Sequence, residues 1–353
     1  MKRTLSFNPN PIIIKELRSR MRGSRAFATL TAILLVLGLF SYALYNLVIS
    51  ATRYSSMPLS PQIGQVMFFG LAMVELLLIS AVAPAITSTA ISGEQEKLTY
   101  EMLLATPLHP LQILWGKLFS SLSYVLILLF AAIPMASLVF VFGGVTLRDM
   151  LKTLVVLVIV AVLFGVIGLF TSALFGRSGR SVAVSYAVTL LILFGPLLAG
   201  LFTSVARQGE PPRWMLVFSP ISALGSAMSP SVNLANLSNL FWMLGNTFWM
   251  FGGAPISMTT IPRPLYHYSL PIFGLIILLL YLLATRLVQP TRRWRIQWSE
   301  ALVGLVLVLG YIGLVSVAFF TTANRYENIQ VVTPTPVPAM VEPPQVEPPD
   351  VNP

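Results

Sequence analysis

Cysteine is absent from this 353-residue chain, and histidine occurs only twice, at His109 and His267. Disulfides, thiolate metal sites and cysteine nucleophiles are therefore excluded, and two histidines so far apart give no basis for a zinc or histidine-centred catalytic site. Charge is also scarce. Only 10% of residues are Asp, Glu, Lys or Arg, whereas 56% are hydrophobic, and the mean hydropathy is +0.81. A water-soluble globule cannot cover its core with so little polarity, so the composition reads as an all-α polytopic membrane protein. Other absences narrow the chemistry. There is no G-x-x-x-x-G-K-[ST] phosphate loop, and neither H-E-x-x-H nor G-x-S-x-G occurs. The chain thus has no phosphate-loop route to ATP and no sign of a membrane hydrolase. Cofactors are expected to be none in this chain.

The net charge of +10 does not point to nucleic acid, because the basic residues stand in short clusters beside long apolar runs, as anchors to anionic headgroups do. Runs long enough to cross a hydrocarbon layer of about 30 Å fall at 26–49, 64–91, 118–143, 153–175, 182–205, 268–288 and 301–322. With the N-terminus inside, 15 of the 22 Lys and Arg residues face the cytoplasm, as the positive-inside rule requires. Ahead of the first run, Asn10-Pro11 opens a basic amphipathic helix with Ile13, Leu17 and Met21 on one side and Lys15, Arg18, Arg20, Arg22 and Arg25 on the other. Such a helix lies in the cytoplasmic interface, either as a simple anchor or with a further role. The length of the run after Arg25 argues against a cleaved signal peptide.

The long polar insertion in the front half runs from Ser92 to Lys117, SGEQEKLTYEMLLATPLHPLQILWGK. Ser92 and Gln95 have the spacing of a capping box, which predicts a helix start, with Glu94 and Glu96 on the positive end of its dipole. Lys97 is spaced for ion pairs with Glu94 and Glu101, while Leu98, Met102 and Ala105 form an apolar strip. Pro107 and Pro110 end the segment. The prediction is one compact amphipathic helix over about 93–105 on the cytoplasmic side, either a docking element or a plain connecting loop.

Glu75 is the one acidic residue placed deep in a run, where a charge costs several kcal/mol unless partnered. Two readings are open: a pathway or gate residue, or a hydrogen bond to a Ser, Thr or Tyr of another helix. Pro84, Pro134 and Pro196 fall within runs as candidate kinks. Between Arg207 and His267 the chain is aromatic but broken by Pro220, Pro230 and Pro255. Two short interfacial or re-entrant outer helices are expected there, with Trp214, Trp242 and Trp249 at headgroup depth as an aromatic belt or an outer gate. The Pro-rich tail 323–353 is expected to be extended and disordered.

Asn10-Pro11, Lys15-Glu16-Leu17-Arg18, Ile91-Ser92-Gly93-Glu94, Glu96, Thr99, Glu101, Leu103-Leu104, Thr106-Pro107, Pro110 and Gly116-Lys117 together resemble the permease subunits of ABC-2 type transporters, over about residues 8–290. The resemblance implies a six-span core over 26–290 after an interfacial helix carrying Lys15, Glu16, Arg18 and Arg22. It also implies a coupling helix in which Glu94, Glu96, Lys97, Leu98, Glu101 and Met102 meet a separate ABC ATPase subunit with a phosphate loop. ATP and Mg would be bound by that subunit, and a second permease copy or homologue would complete an exporter of a prokaryotic inner membrane. The run at 301–322 and the tail depart from the six-span pattern. A stand-alone secondary carrier and a non-transport membrane scaffold are the competing readings.

Overall fold

The structure, a computed structural model, describes residues 24–52, 60–104, 110–137, 139–207, 213–228, 264–288 and 306–316. The described residues contain helices and no strand, because a backbone in hydrocarbon must satisfy its own N–H and C=O groups. Six helices are long: α1 (Ser24–Thr52), α2 (Ser60–Thr87), α5 (Pro110–Ser137), α7 (Leu147–Leu174), α8 (Ser178–Arg207) and α11 (Tyr266–Leu287). Short ones lie between them: α3 (Ser92–Glu96), α4 (Tyr100–Leu104), α6 (Val139–Phe142), α9 (Arg213–Leu216) and α10 (Pro220–Met228). A last one, α12, covers Val306–Ser316. Among the described residues, α2, α5, α7, α8 and α11 are long and apolar enough to cross a membrane, with shorter apolar helical runs at Leu30–Asn46 and in α12. The protein is an all-α polytopic membrane protein.

The bundle is built around α7. Val156, Val160, Ala161, Leu163, Phe164, Val166 and Leu169 are wholly buried, so the middle of this helix is enclosed on every side, while Leu151 and Val155 nearer its start are exposed. It packs against α2, α5, α8, α10 and α11. The helix starts at Leu147, earlier than the run at 153–175, because Thr146 and Asp149 form a reciprocal capping box. The Asp149 amide donates to Thr146 Oγ1 at 3.3 Å and Asp149 Oδ2 accepts the Thr146 amide at 3.3 Å. Lys152 Nζ lies 3.1 Å from Asp149 Oδ1. These pairings let a carboxylate and an ammonium enter the first turns of an otherwise apolar helix.

Close approach at one glycine fixes how α2 meets α7. A Cβ at Gly168 would stand 2.0 Å from Thr87 Oγ1 and 3.0 Å from the Ser88 amide nitrogen. Only a residue without a side chain brings the two backbones together there. Apolar packing cannot choose a partner helix in lipid, whereas small residues that permit backbone contact can.

The aromatic stretch after α8 contributes α9 and α10. Trp214 on α9 is exposed, but Ala223, Leu224 and Ala227 of α10 are fully buried against α7, α11 and α2. The Tyr266 amide donates to Ser226 Oγ at 2.8 Å, tying α10 to the start of α11. Trp242, Trp249, the basic helix with Lys15, Glu16, Arg18 and Arg22, and the tail from 323 all lie outside the described residues. Residues Met1–Tyr311 form one unit and Ile312–Pro353 another. Within the first, Tyr311 donates to the Pro271 carbonyl at 2.9 Å.

Gly168→Ala should lower the stability of the purified protein by about 1–3 kcal/mol, the usual cost of overpacking, seen as a reduced Tm in detergent. Gly179→Ala in the first turn of α8, where nothing lies within 4 Å of the added Cβ, should leave Tm unchanged or raise it.

Candidate functional site at the Ser92 end of the bundle

Residues 92–100 of the polar insertion are bonded to the ends of α5, α7, α8 and α11. Its first helix is not opened by the Ser92-x-x-Gln95 capping box that the spacing predicts. The N-cap position is Ile91, with no side-chain cap of its own, and the Ile91 and Ser92 amides are satisfied from another helix. Ser172 Oγ of α7 accepts the amides of both Ile91 and Ser92, each at 2.9 Å. Ser92 Oγ instead donates to the Ser88 carbonyl at 3.0 Å, which also receives Ser181 Oγ of α8 at 2.7 Å. Ser92, Ser172 and Ser181 are fully buried. In an apolar surround, this hydroxyl cluster is what fixes the exit of α2 against α7 and α8.

The single helix expected over 93–105 is two helices, α3 and α4, separated at Lys97–Thr99. The Leu98 amide donates to the Gln95 carbonyl at 3.2 Å and the Thr99 amide to the Glu94 carbonyl at 3.0 Å. This is the pair of bonds of a Schellman termination, whose turning residue adopts left-handed backbone and is usually glycine. Here it is Leu98, with φ of +58°, a conformation costing a side-chain-bearing residue about 1–2 kcal/mol. Periodicity did not disclose the break, since the apolar spacing of Leu98 and Met102 fits a continuous helix equally well.

Two carboxylates hold this turn. Glu94 Oε1 lies 3.2 Å from Lys117 Nζ, an ammonium only 3% exposed, and its other oxygen accepts the Thr99 hydroxyl. The partner of Glu94 is thus Lys117 of α5 and not Lys97, which among the described residues enters no ion pair. A lysine this deep is tolerated because the carboxylate offsets its desolvation. Glu96 reaches the start of α8, where its carboxylate accepts the Ser178 amide at 2.8 Å and the Ser178 hydroxyl at 2.7 Å. It supplies a cap from outside the helix it stabilises. The Ser178 hydroxyl, then its amide, and to a lesser degree the Arg177 charge lower the Glu96 pKa from 4.5. The clamp is therefore complete above that value and is lost as pH falls through the lowered one.

The end of α11 is tied in twice. Tyr100 donates to the Val288 carbonyl at the end of α11, at 3.0 Å, and Tyr281 of α11 donates to the Leu111 carbonyl at 2.9 Å. Trp115 stacks edge-on against Tyr281 with ring centroids 6.3 Å apart. Burial raises the Tyr100 pKa, which keeps its hydroxyl a donor.

What this leaves facing outward is specific. Leu98 is 85% exposed and Met102 74%, with Lys97 and Glu101 exposed beside them. Of the six residues predicted for the coupling segment, Glu94 and Glu96 are engaged by the bundle itself, and Lys97, Leu98, Glu101 and Met102 form its outer face. Glu75 lies elsewhere, midway along α2, lining small cavities with residues of α1, α5 and α7. Among the described residues it makes no direct hydrogen bond. Sequence reasoning missed Ser172, Ser178, Tyr100 and Tyr281 as partners of the segment. The one available signal was a group of hydroxyls, Thr171, Ser172, Ser178 and Ser181, flanking the Phe175-Gly176-Arg177 turn.

Ser172→Ala should cost about 1–3 kcal/mol for each buried amide that it strands. Ser92→Ala should cost distinctly less, because Ser88 O keeps the Ser181 bond. Thermal unfolding of the two variants checks the order; equal losses would mean that Ser92 caps the helix after all.

A search of curated proteins found no significant match. The family model described as ABC-2 family transporter protein matches residues 10–323, which takes in every described helix and the whole Ser92 end. The chain is a multi-pass membrane permease belonging to the ABC-2 transporter family.

Proposed function

We propose that this chain is the membrane half of an ATP-driven exporter of a prokaryotic inner membrane, with the Ser92 end in the cytoplasm and the exposed face of Lys97, Leu98, Glu101 and Met102 docked on a separate phosphate-loop ATPase. The observation that carries this reading is Leu98. An apolar side chain 85% exposed on strained backbone contributes little to the fold, and glycine would serve the turn better. A side chain kept under those conditions is accounted for by a contact outside the chain.

The clamps explain how such a contact would be transmitted. Glu94 links the turn to α5 through Lys117, Glu96 links it to α8 through Ser178, Ser172 links it to α7, and Tyr100 links it to α11. A push on Leu98 and Met102 would reach four long helices through short, directional bonds, as a rigid-body switch requires. The chain has no phosphate loop, so ATP and Mg belong to the partner and the work enters at this face. A second permease copy or homologue would complete the pathway, since ATP-driven closure acts between two ATPase subunits. The interfacial residues Lys15, Glu16, Arg18 and Arg22 are proposed to anchor the assembly at the same membrane face.

Leu98→Gly should keep Tm or raise it by relieving the backbone, while ATP hydrolysis by the assembled complex loses its coupling to transport. Met102→Ser should uncouple partially without affecting folding. Unchanged coupling in the Leu98→Gly complex would remove the proposed docking role. Glu94→Gln should instead lower Tm, because it acts through Lys117 and the turn.

A further inference from the structure

The run at 301–322 is what sets this chain apart from a six-span pattern, and the described part of it touches α11 through Tyr311. In 306–311, VLVLGY, Tyr311 has the one side chain able to hydrogen-bond. Val306, Leu307 and Leu309 are exposed, as side chains turned to lipid are, and apolar contact in lipid does not choose a partner helix. Tyr311 is seated specifically. Its hydroxyl donates to the Pro271 carbonyl at 2.9 Å. The same hydroxyl lies over Gly274, where an added Cβ would stand 2.0 Å from the phenol oxygen and 2.8 Å from Cζ. The missing side chain at 274 is what lets the phenol reach the carbonyl. Another face of the same turns is already taken, since Ser269 and Phe273 are buried in the bundle.

This seat falls on the part of α11 that is weakest by itself. Pro271 lies inside the helix and has no amide hydrogen to give the carbonyl one turn earlier, so a helical bond is missing here and the helix bends more easily. At its start α11 is tied to Ser226 of α10, and toward its other end Tyr281 and Val288 hold the Ser92 segment. Pro271 stands between these ties. We propose that the 271–274 face of α11 is a docking notch for the start of α12, and that Tyr311 is the pin that seats it and braces α11 across its proline. The added helix is then a working part of the bundle at this point and not a mere membrane anchor. Single polar bonds between membrane helices are weak, so the brace is removable without unfolding the bundle. The inference does not rest on the ATPase contact proposed above, because the notch lies apart from Tyr281 and Val288 and its test needs no partner subunit.

Hydrogen exchange of the full-length protein in detergent, read together with its Tm, tests the notch. Tyr311→Phe keeps the ring and removes the bond, and it should make the amides of 272–276 exchange about three- to tenfold faster while those of α7 keep their rates. Gly274→Ala should act in the same direction by displacing the ring, and should lower Tm by about 1–3 °C. In a Tyr311→Ala background the notch is vacant, and there Gly274→Ala should cost nothing, because its methyl no longer meets a ring. That dependence on residue 311 separates a docking notch from a glycine needed for α11 alone. Unchanged exchange in Tyr311→Phe, or a loss from Gly274→Ala as large without the tyrosine as with it, would overturn the proposal.

Discussion

The contact on which the rest of this structure depends is the closure of α7 against the end of α2, where Gly168 admits Thr87 and Ser172 receives the amides of Ile91 and Ser92. Hydrophobic burial cannot specify that closure in a membrane, since a leucine gains as much from lipid as from protein. What specifies it is the missing side chain at Gly168, followed one turn later by a hydroxyl with two donors to satisfy. The turn of the chain at Ser88–Ser92 is set by that pair of features, and α3 then points toward α5 and α8 with little freedom.

From that point the polar insertion is held by directional bonds. A buried lysine of α5, the N-terminus of α8, the Ser172 hydroxyl of α7 and, on α11, the Tyr281 hydroxyl and the Val288 carbonyl meet the segment from four different helices. Glu94 and Glu96, which the family resemblance assigns to docking, are occupied in building the platform, and the surface offered outward is Leu98 and Met102 with Lys97 and Glu101 beside them. Much of the polarity of the segment is thus turned inward, into the bonds that hold it.

Much of the architecture was legible from hydropathy, because a helix that crosses hydrocarbon must be long, apolar and internally bonded. The run at 153–175 was read as one span among several, however, and nothing in its sequence marked α7 as the centre; lipid-facing and protein-facing positions are equally apolar, and only Gly165 and Gly168 hinted at close neighbours. The location of the site in Ser92–Lys117 was legible, because polar residues between long apolar runs must leave the hydrocarbon. Its internal geometry was not. Whether Glu94 pairs with Lys97 or Lys117 depends on where α5 stands, and a left-handed Leu98 is invisible to a periodicity that assigns it to a helix face. Glu75 was conspicuous in the sequence, yet its environment is a property of four helices together.

The central claim is that the outer face of the Leu98 turn meets an ATPase while the Glu94 side is turned into the bundle. Site-specific photo-crosslinking in the assembled, membrane-embedded complex tests it most directly. A photoreactive residue at position 98 or 102 should crosslink to the ATPase subunit, and one at position 94 should crosslink only within the permease. Crosslinking of position 98 to lipid alone, or of position 94 to the ATPase, would contradict the account.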